Sequence, residues 1–398
     1  MTNWGLWRQM KKRFIDCIDI VGASCKSFEG TKQYISTGAV QNGEIDKSQV
    51  EIVDYATKPS RANVQVKSGD VLFAKMQATV KVLPINEILA DNIYSTGFFA
   101  IRAKEEILNS RCLTHILKSE SFNCAKDKEC KGATQKALNN DGLANISINI
   151  PDENQERIAD ELDQIEAAIT ALKRKYKLYD ELVKARFVEM FGDPITNDKQ
   201  WPTATVGEIA TDVKYGTSRP ATKGGKYPYI RMNNLTYDGY LDLTDLKYID
   251  IPDNEYEKCV VRKGDILFNR TNSVDLIGKT VAYDRPDEMI IAGYIIRVRL
   301  NERLLPEVFS QYMNLEVMKK TLSSMAKGAV HQANINAQEL KNIAIYLPET
   351  DLQMEFVEFK RQIDKSKFVE SLHLAKRKNG QYNKIGFLET NYMKSSEN

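Results

Sequence analysis

The sequence predicts an α+β chain in which two tandem copies of one domain are separated by long α-helices that pair as an antiparallel coiled coil. Three observations predict it: matches that recur at an offset near 195 residues, short apolar runs of strand character inside each copy, and an unbroken heptad stripe between the copies. At 398 residues the chain has room for two or three domains, and its 42% hydrophobic and 28% charged content is that of a globular protein. It contains no run of about 18 apolar residues, so no membrane-spanning helix is expected. The opening MTNWGLWRQMKKRF interleaves charges with aromatics, which argues against a signal peptide and makes the cytoplasm the default location. Six cysteines (Cys17, Cys25, Cys112, Cys124, Cys130 and Cys259) without a C-x-x-C pair agree, being too few for a disulfide framework in a chain this long.

Lys67–Phe73 (KSGDVLF) returns as Arg262–Phe268 (RKGDILF), Tyr34-Ile35 as Tyr229-Ile230, Lys131–Ala133 as Lys327–Ala329, and NISINIP ending at Pro151 as NIAIYLP ending at Pro348. Four matches in one order, with slow drift in offset, indicate two copies, at residues 1–151 and 194–348. Helical regions follow each copy, at 152–193 and 349–398. These four segments carry formal net charges of +4, −4, +1 and +1, within a total of +2. A protein that coats nucleic acid by bulk charge is thereby excluded, whereas a local binding face is not. Within the copies, Val71–Ala74 and Ile266–Asn269 follow Gly-Asp turns as strands. Ile290–Leu300, Ile146–Ile150 and Ile343–Leu347 alternate as strands, and helical patterns lie around Ile107–Ser121 and Pro306–Leu322.

Between the copies, Ile158, Leu162, Ile165, Ile169, Leu172, Tyr176, Tyr179 and Val183 follow 4,3 spacing for nearly four heptads. Forty helical residues span about 60 Å, and Gly192-Asp193-Pro194 ends the run. Leu352, Phe356, Phe359 and Ile363 begin a second stripe that degrades around Ser366. One seam requires another. Pairing of these two within the chain is the simplest solution, with dimerisation between chains as the alternative.

Catalytic chemistry is not visible. His115, His331 and His373 are far apart and have no metal-ligand spacing, so each is read as a core or surface residue. Ser273–Thr280 approaches a phosphate-binding loop, but Ser replaces the first Gly and the TVAYD that follows predicts a strand, not a helix. Glu358 and Lys360 imitate a nuclease E-x-K on what is read as a solvated helix face. No G-x-G-x-x-G follows a strand, so no cofactor is expected.

Polar residues gather instead at equivalent places in the two copies. Lys75 and Gln77 follow the first Gly-Asp strand; Asn269, Arg270 and Asn272 follow the second. Gln135, Lys136, Asn139 and Asn140 follow the first Lys-Gly-Ala, and His331, Gln332, Asn334 and Asn336 follow the second. Arg231 and Asn233, just after Tyr229-Ile230, complete the candidate set. Such side chains read guanine and adenine edges in a major groove, and Lys and Arg also hold phosphates. Ordinary loop polarity accounts for the same composition.

The stretch Asn154–Pro194, ending in Phe191-Gly192-Asp193-Pro194, resembles the central helix of type I restriction–modification specificity (S) subunits. In that family a proline precedes the helix and a glutamine soon follows it, as Pro151 and Gln155, and Pro348 and Gln353, do here. The Gly-Asp strands and the Lys-Gly-Ala to Leu-Pro segments resemble the family's two target recognition domains. Two departures stand out: the first copy has no clear match to Trp201-Pro202 and Tyr215–Thr217, and the second stripe is irregular. The resemblance implies a non-catalytic subunit whose recognition domains each read half of a bipartite, asymmetric double-stranded DNA target. It also implies methyltransferase (M) subunits, two of them, docked along the helices, and restriction (R) subunits that add translocation and cleavage. Two other classes stay open on the residues alone: a coiled-coil scaffold with paired protein-binding domains, and a self-sufficient DNA-processing enzyme.

Overall fold

The computed structural model describes residues 9–41, 43–151, 153–329 and 332–385, and the side chains of these except at 9, 327–329, 332 and 372–385. His331 and the side chain of His373 therefore lie outside the described residues. The chain forms two compact units, and the division falls after Thr170, inside one helix that runs from Gln155 to Phe191.

In the first unit, an antiparallel sheet orders its strands Val82–Pro84, Val71–Ala74, Phe98–Ala103 and Ile18–Val21. A five-stranded sheet follows the order Ala23–Ser24, Ala62–Gln65, Ile93–Ser95, Lys32–Ile35 and Glu51–Val53, with Ile93–Ser95 parallel to Lys32–Ile35. The short apolar run at Val71–Ala74 is buried along its whole length because it packs on both faces. Val71 and Phe73 enter one core with the helices, while Leu72 and Ala74 enter a second.

The second unit repeats this wiring. Thr280–Ala282, Ile266–Asn269, Ile295–Leu300 and Ala210–Tyr215 form the matching antiparallel sheet. Met289–Ile291 runs parallel to Tyr227–Ile230, as Ile93–Ser95 does to Lys32–Ile35. Ile266 and Phe268 face one core and Leu267 another. The first copy's opening, which has no sequence match, nevertheless has structural counterparts. Gln9–Arg13 pairs with Ser147–Pro151 as Thr203–Thr205 pairs with Ala344–Tyr346.

Three expectations need correcting. The helix expected around Ile107–Ser121 is two helices, Ser110–Lys118 and Glu120–Glu129. Between them Ser119 is extended, and its Oγ donates to the Ile116 carbonyl and accepts from the Phe122 amide, so it caps the second helix. The helix expected over Pro306–Leu322 likewise breaks into Pro306–Met313 and Glu316–Met325, where Asn314 Nδ2 donates to the Thr280 and Ser310 carbonyls. Ile290–Leu300 is two strands in two sheets, parted at Ala292–Tyr294, where the Gly293 amide donates to the Thr217 carbonyl. The segment rejected as a phosphate loop does end in a strand, Thr280–Ala282. The distal helix runs from Thr350 to Ile385.

Candidate nucleic-acid interface

Each repeated Gly-Asp turn is a bracket. Asp70 accepts from the Lys67 amide (2.7 Å) and from Arg102 Nε (2.8 Å); Asp265 accepts from the Arg262 amide and from Arg299 Nε (both 2.9 Å). Both carboxylates are buried, so an amide and a guanidinium replace the water that each has lost. The bracket fixes the start of the strand and hence the point from which the polar exit loop leaves it.

In the first unit the exit loop meets the Lys-Gly-Ala segment, about 60 residues away in sequence. The Gln77 amide donates to the Lys136 carbonyl (3.0 Å) and the Leu138 amide to the Lys75 carbonyl (2.8 Å), while Ala137 bridges to both Met76 and Lys131. Gly132 permits this fold-back: at φ +140° its backbone is unfavourable for other residues, and a Cβ there would lie 2.3 Å from the Gln135 carbonyl oxygen. Gln135 and Lys136 are exposed, and their side chains have no hydrogen bond or ion pair among the described residues. Asn139 instead caps helix Asn140–Asn145. Gln77 is exposed with Nε2 on the Asp127 carbonyl (3.1 Å). Lys75 turns inward, with Nζ on the Thr96 carbonyl (3.0 Å) and 4.6 Å from the centre of the Phe99 ring, and burial pulls its pKa down.

The second unit brings its own two segments together as a small sheet. Thr271–Asn272 pairs with Gln332–Asn334, which pairs with Lys327–Ala329. Thr271 Oγ1 donates to Asn334 Oδ1 (2.9 Å), and Asn336 caps helix Ala337–Lys341. Asn269 corrects the sequence reading: it is fully buried, its Nδ2 donating to the Thr271 and Tyr294 carbonyls and its Oδ1 accepting from Asn272 Nδ2. It shapes the loop from within and is not available to a ligand. Asn272 is half-buried and Asn233 exposed, the latter with no side-chain bond among the described residues. Arg231 is engaged by Asp245 (2.6 Å). The Gln332 side chain lies outside the described residues; its backbone sits opposite Ala329.

Arg270 lies over the Tyr215 ring, 4.9 Å from its centre, and lines a cleft of about 700 Å3 that runs past Gly216–Arg219, Glu255 and Lys258. Arg219 holds Glu255 at 2.7 Å and keeps its carboxyl below the usual range. Arg219 and Lys258 escaped the sequence reading because neither lies within a repeated motif. A buried lysine closes the back of each exit loop: Lys126 Nζ donates to the Thr79 carbonyl (2.5 Å) and Lys319 Nζ to the Gly278 carbonyl (3.0 Å). Burial lowers the pKa of both, Lys319 to about 7. These lysines occupy different positions on their helices, which hid them from the repeat.

On the long helices, Ile158, Leu162, Ile165 and Val183 are buried, and Ile169, Leu172, Tyr176 and Tyr179 are half-buried. Within the second unit, Tyr176 donates to the Lys367 carbonyl (2.6 Å), Lys175 meets Glu370 (2.7 Å), and Phe187 meets the Phe356 ring at 5.2 Å. Ile363 is half-buried against the same core. Tyr240 donates within reach of both Asp180 (3.2 Å) and Asp364 (3.1 Å), beside Lys367; burial and the two carboxylates push its pKa far up. The paired glutamines act alike. Gln155 accepts from the Asn109 amide and donates to the Ile107 and Pro151 carbonyls, as Gln353 accepts from Leu305 and donates to Arg303 and Pro348. His115 is buried beside Asp163 and Glu166, a set of metal-ligand type, but Arg111 and Lys118 already neutralise those carboxylates. Glu358 pairs with Arg361 and Lys360 with Asp364, as on an ordinary helix face. No described helix is long and apolar enough to cross a membrane.

The family model described as "Type I restriction modification DNA specificity domain" matches residues 17–179 and 198–373. The type I restriction enzyme EcoKI specificity subunit of Escherichia coli K12 is 20% identical over 342 residues, covering 81% of this chain and 73% of that protein. The EcoBI specificity subunit of Escherichia coli is 24% identical over 288 residues, covering 65% of this chain and 59% of that protein. A solved S subunit of a type I system from M. genitalium is 14% identical, with a TM-score of 0.48 and 95% of each chain covered.

Proposed function

The chain belongs to the type I restriction–modification DNA-specificity family, and on that premise we propose that each of its two copies reads one half of a bipartite, asymmetric duplex target. It is a specificity subunit, a non-catalytic component of a restriction–modification complex. One observation supports the two-reader arrangement above the rest. In each copy, two polar segments far apart in sequence meet at the same place in the fold, and they present different side chains there. Residues 1–151 and 194–348 are the two target recognition domains in this reading, and 152–193 and 349–398 the helical regions. The contacts of Tyr176, Lys175 and Phe187 with the distal helix support an antiparallel coiled-coil pairing of these regions. Two methyltransferase subunits dock along the helices, restriction subunits join the complex, and the assembly works in the cytoplasm.

Near-neutral net charge leaves few phosphate contacts per domain, so the chain alone binds duplex DNA weakly and the complex binds it tightly. The test is methylation of a randomised duplex library by the chain reconstituted with its methyltransferase subunits. One motif with two specified halves and an unspecified spacer supports the reading. Equal modification of all sequences at moderate salt rejects it and leaves a scaffold.

A further inference from the structure

The second unit contains seven arginines that are buried or half-buried, and six are neutralised. Arg186, Arg231, Arg262, Arg285, Arg297 and Arg299 each have a carboxylate oxygen within 3.6 Å. Arg270 is the exception: its side chain has no hydrogen bond or ion pair among the described residues, whereas Arg231, Arg285 and Arg297, whose Nε atoms are likewise buried without a partner, each meet a carboxylate through Nη. A half-buried guanidinium with no counter-charge is unfavourable for the folded chain. It is nonetheless held firmly. The Arg270 amide donates to the Tyr294 carbonyl (2.9 Å), its carbonyl accepts from the Ile335 amide (2.9 Å), and its guanidinium carbon lies over the Tyr215 ring, 4.9 Å from the ring centre. A cation over a ring engages the ring through its face, which leaves the Nη donors of Arg270 without a partner among the described residues, in a side chain that lines the open cleft.

We propose that Arg270 reads a guanine in the half-site recognised by the second copy, its two Nη groups donating to O6 and N7 in the major groove. The inference rests on the DNA-reading function proposed above and adds the base and the reader. A planar fork with two parallel donors is matched by a carboxylate, a phosphate or the guanine edge, and duplex DNA offers the last two. The guanine is favoured because Arg270 is tethered at both backbone groups, its guanidinium is seated over Tyr215, and it lies next to Thr271–Asn272, at the junction of the two polar segments. A phosphate anchor needs charge but not a fixed plane. The first copy lacks this device, since Lys75 at the equivalent position is a point charge tied to the Thr96 carbonyl.

The experiment compares library methylation by the reconstituted complex carrying the wild-type chain, Arg270→Gln or Arg270→Lys. The proposal expects a required guanine at one position of one half-site. Arg270→Gln relaxes discrimination there by roughly 5- to 150-fold, leaving every other position unchanged, and Arg270→Lys keeps a weaker preference for guanine. A motif without guanine in the affected half, or an unchanged motif in Arg270→Gln, overturns it. So does activity that falls equally on all sequences with a shallower salt dependence, which marks a phosphate contact. A wild-type complex with no motif at all would instead reject the broader DNA-reading function. Melting curves of both variants identify misfolding, and Arg270→Lys, which keeps the charge and stem, carries the test if Arg270→Gln does not fold.

Discussion

In the first copy, the cation after the Gly-Asp strand is a lysine bent back onto a carbonyl; in the second it is an arginine seated over a tyrosine ring and lining an open cleft. Around these unlike side chains the two copies agree. Asp70 and Asp265 hold the strand, Lys126 and Lys319 hold the exit loop, and Gln155 and Gln353 hold the helix start. The contrast separates two kinds of polar residue. The brackets shared by the two copies are polar groups partnered within the chain, whereas Gln135, Lys136 and Asn233 are exposed with no side-chain bond among the described residues, so nothing inside the chain specifies them. Changes to the shared brackets should therefore cost stability and leave the motif intact; changes to the differing loops should do the reverse.

The largest effects belong to the shared core. Phe73→Ala and Phe268→Ala remove equivalent buried rings from the two Gly-Asp strands, and each should lower unfolding stability by about 3–5 kcal/mol. Denaturant unfolding measures this. A near-zero cost in either copy would break the structural equivalence.

Smaller losses should follow from Gln155→Ala and Gln353→Ala, about 1–3 kcal/mol each, because buried amides and carbonyls are left unpaired. Thermal melts would show them, and the methylation motif should not move. A changed motif would mean that these glutamines act on recognition and not merely on the helix start.

The pH dependence is subtler. Burial holds Lys319 at about 7, against 10.5 for the ordinary side chain. Between those values the unfolded chain keeps a proton that the folded chain has released, so stability rises with pH, by at most ~1.4 kcal/mol per unit. Below about pH 7 both states are protonated and the cost of burying the ammonium is present in full. Lys319→Met should flatten the rise between pH 7 and 9 in denaturant midpoints. An equal rise in wild type and variant would show that other groups cause it.

Much of this organisation is legible in the sequence because it is periodic or repeated. The Gly-Asp strands, the Lys-Gly-Ala segments and the 4,3 stripe all leave marks of that kind. What escaped is single-residue side-chain-to-backbone chemistry. Ser119 and Asn314 break helices whose apolar pattern runs on across the break, and Asn269 looks like a surface amide until the fold surrounds it. Arg219 and Lys258 reach the cleft from segments with no repeated motif, so no linear pattern marks them.

Crossed variants decide whether each copy reads its own half-site through the exit loop and Lys-Gly-Ala segment. The motif methylated by the reconstituted complex is determined for Gln135→Ala/Lys136→Ala in the first copy and for Arg270→Gln in the second. The first variant should relax bases in one half only, and the second should relax bases in the other half only. Relaxation of both halves by either variant, or of neither half by both, would contradict it.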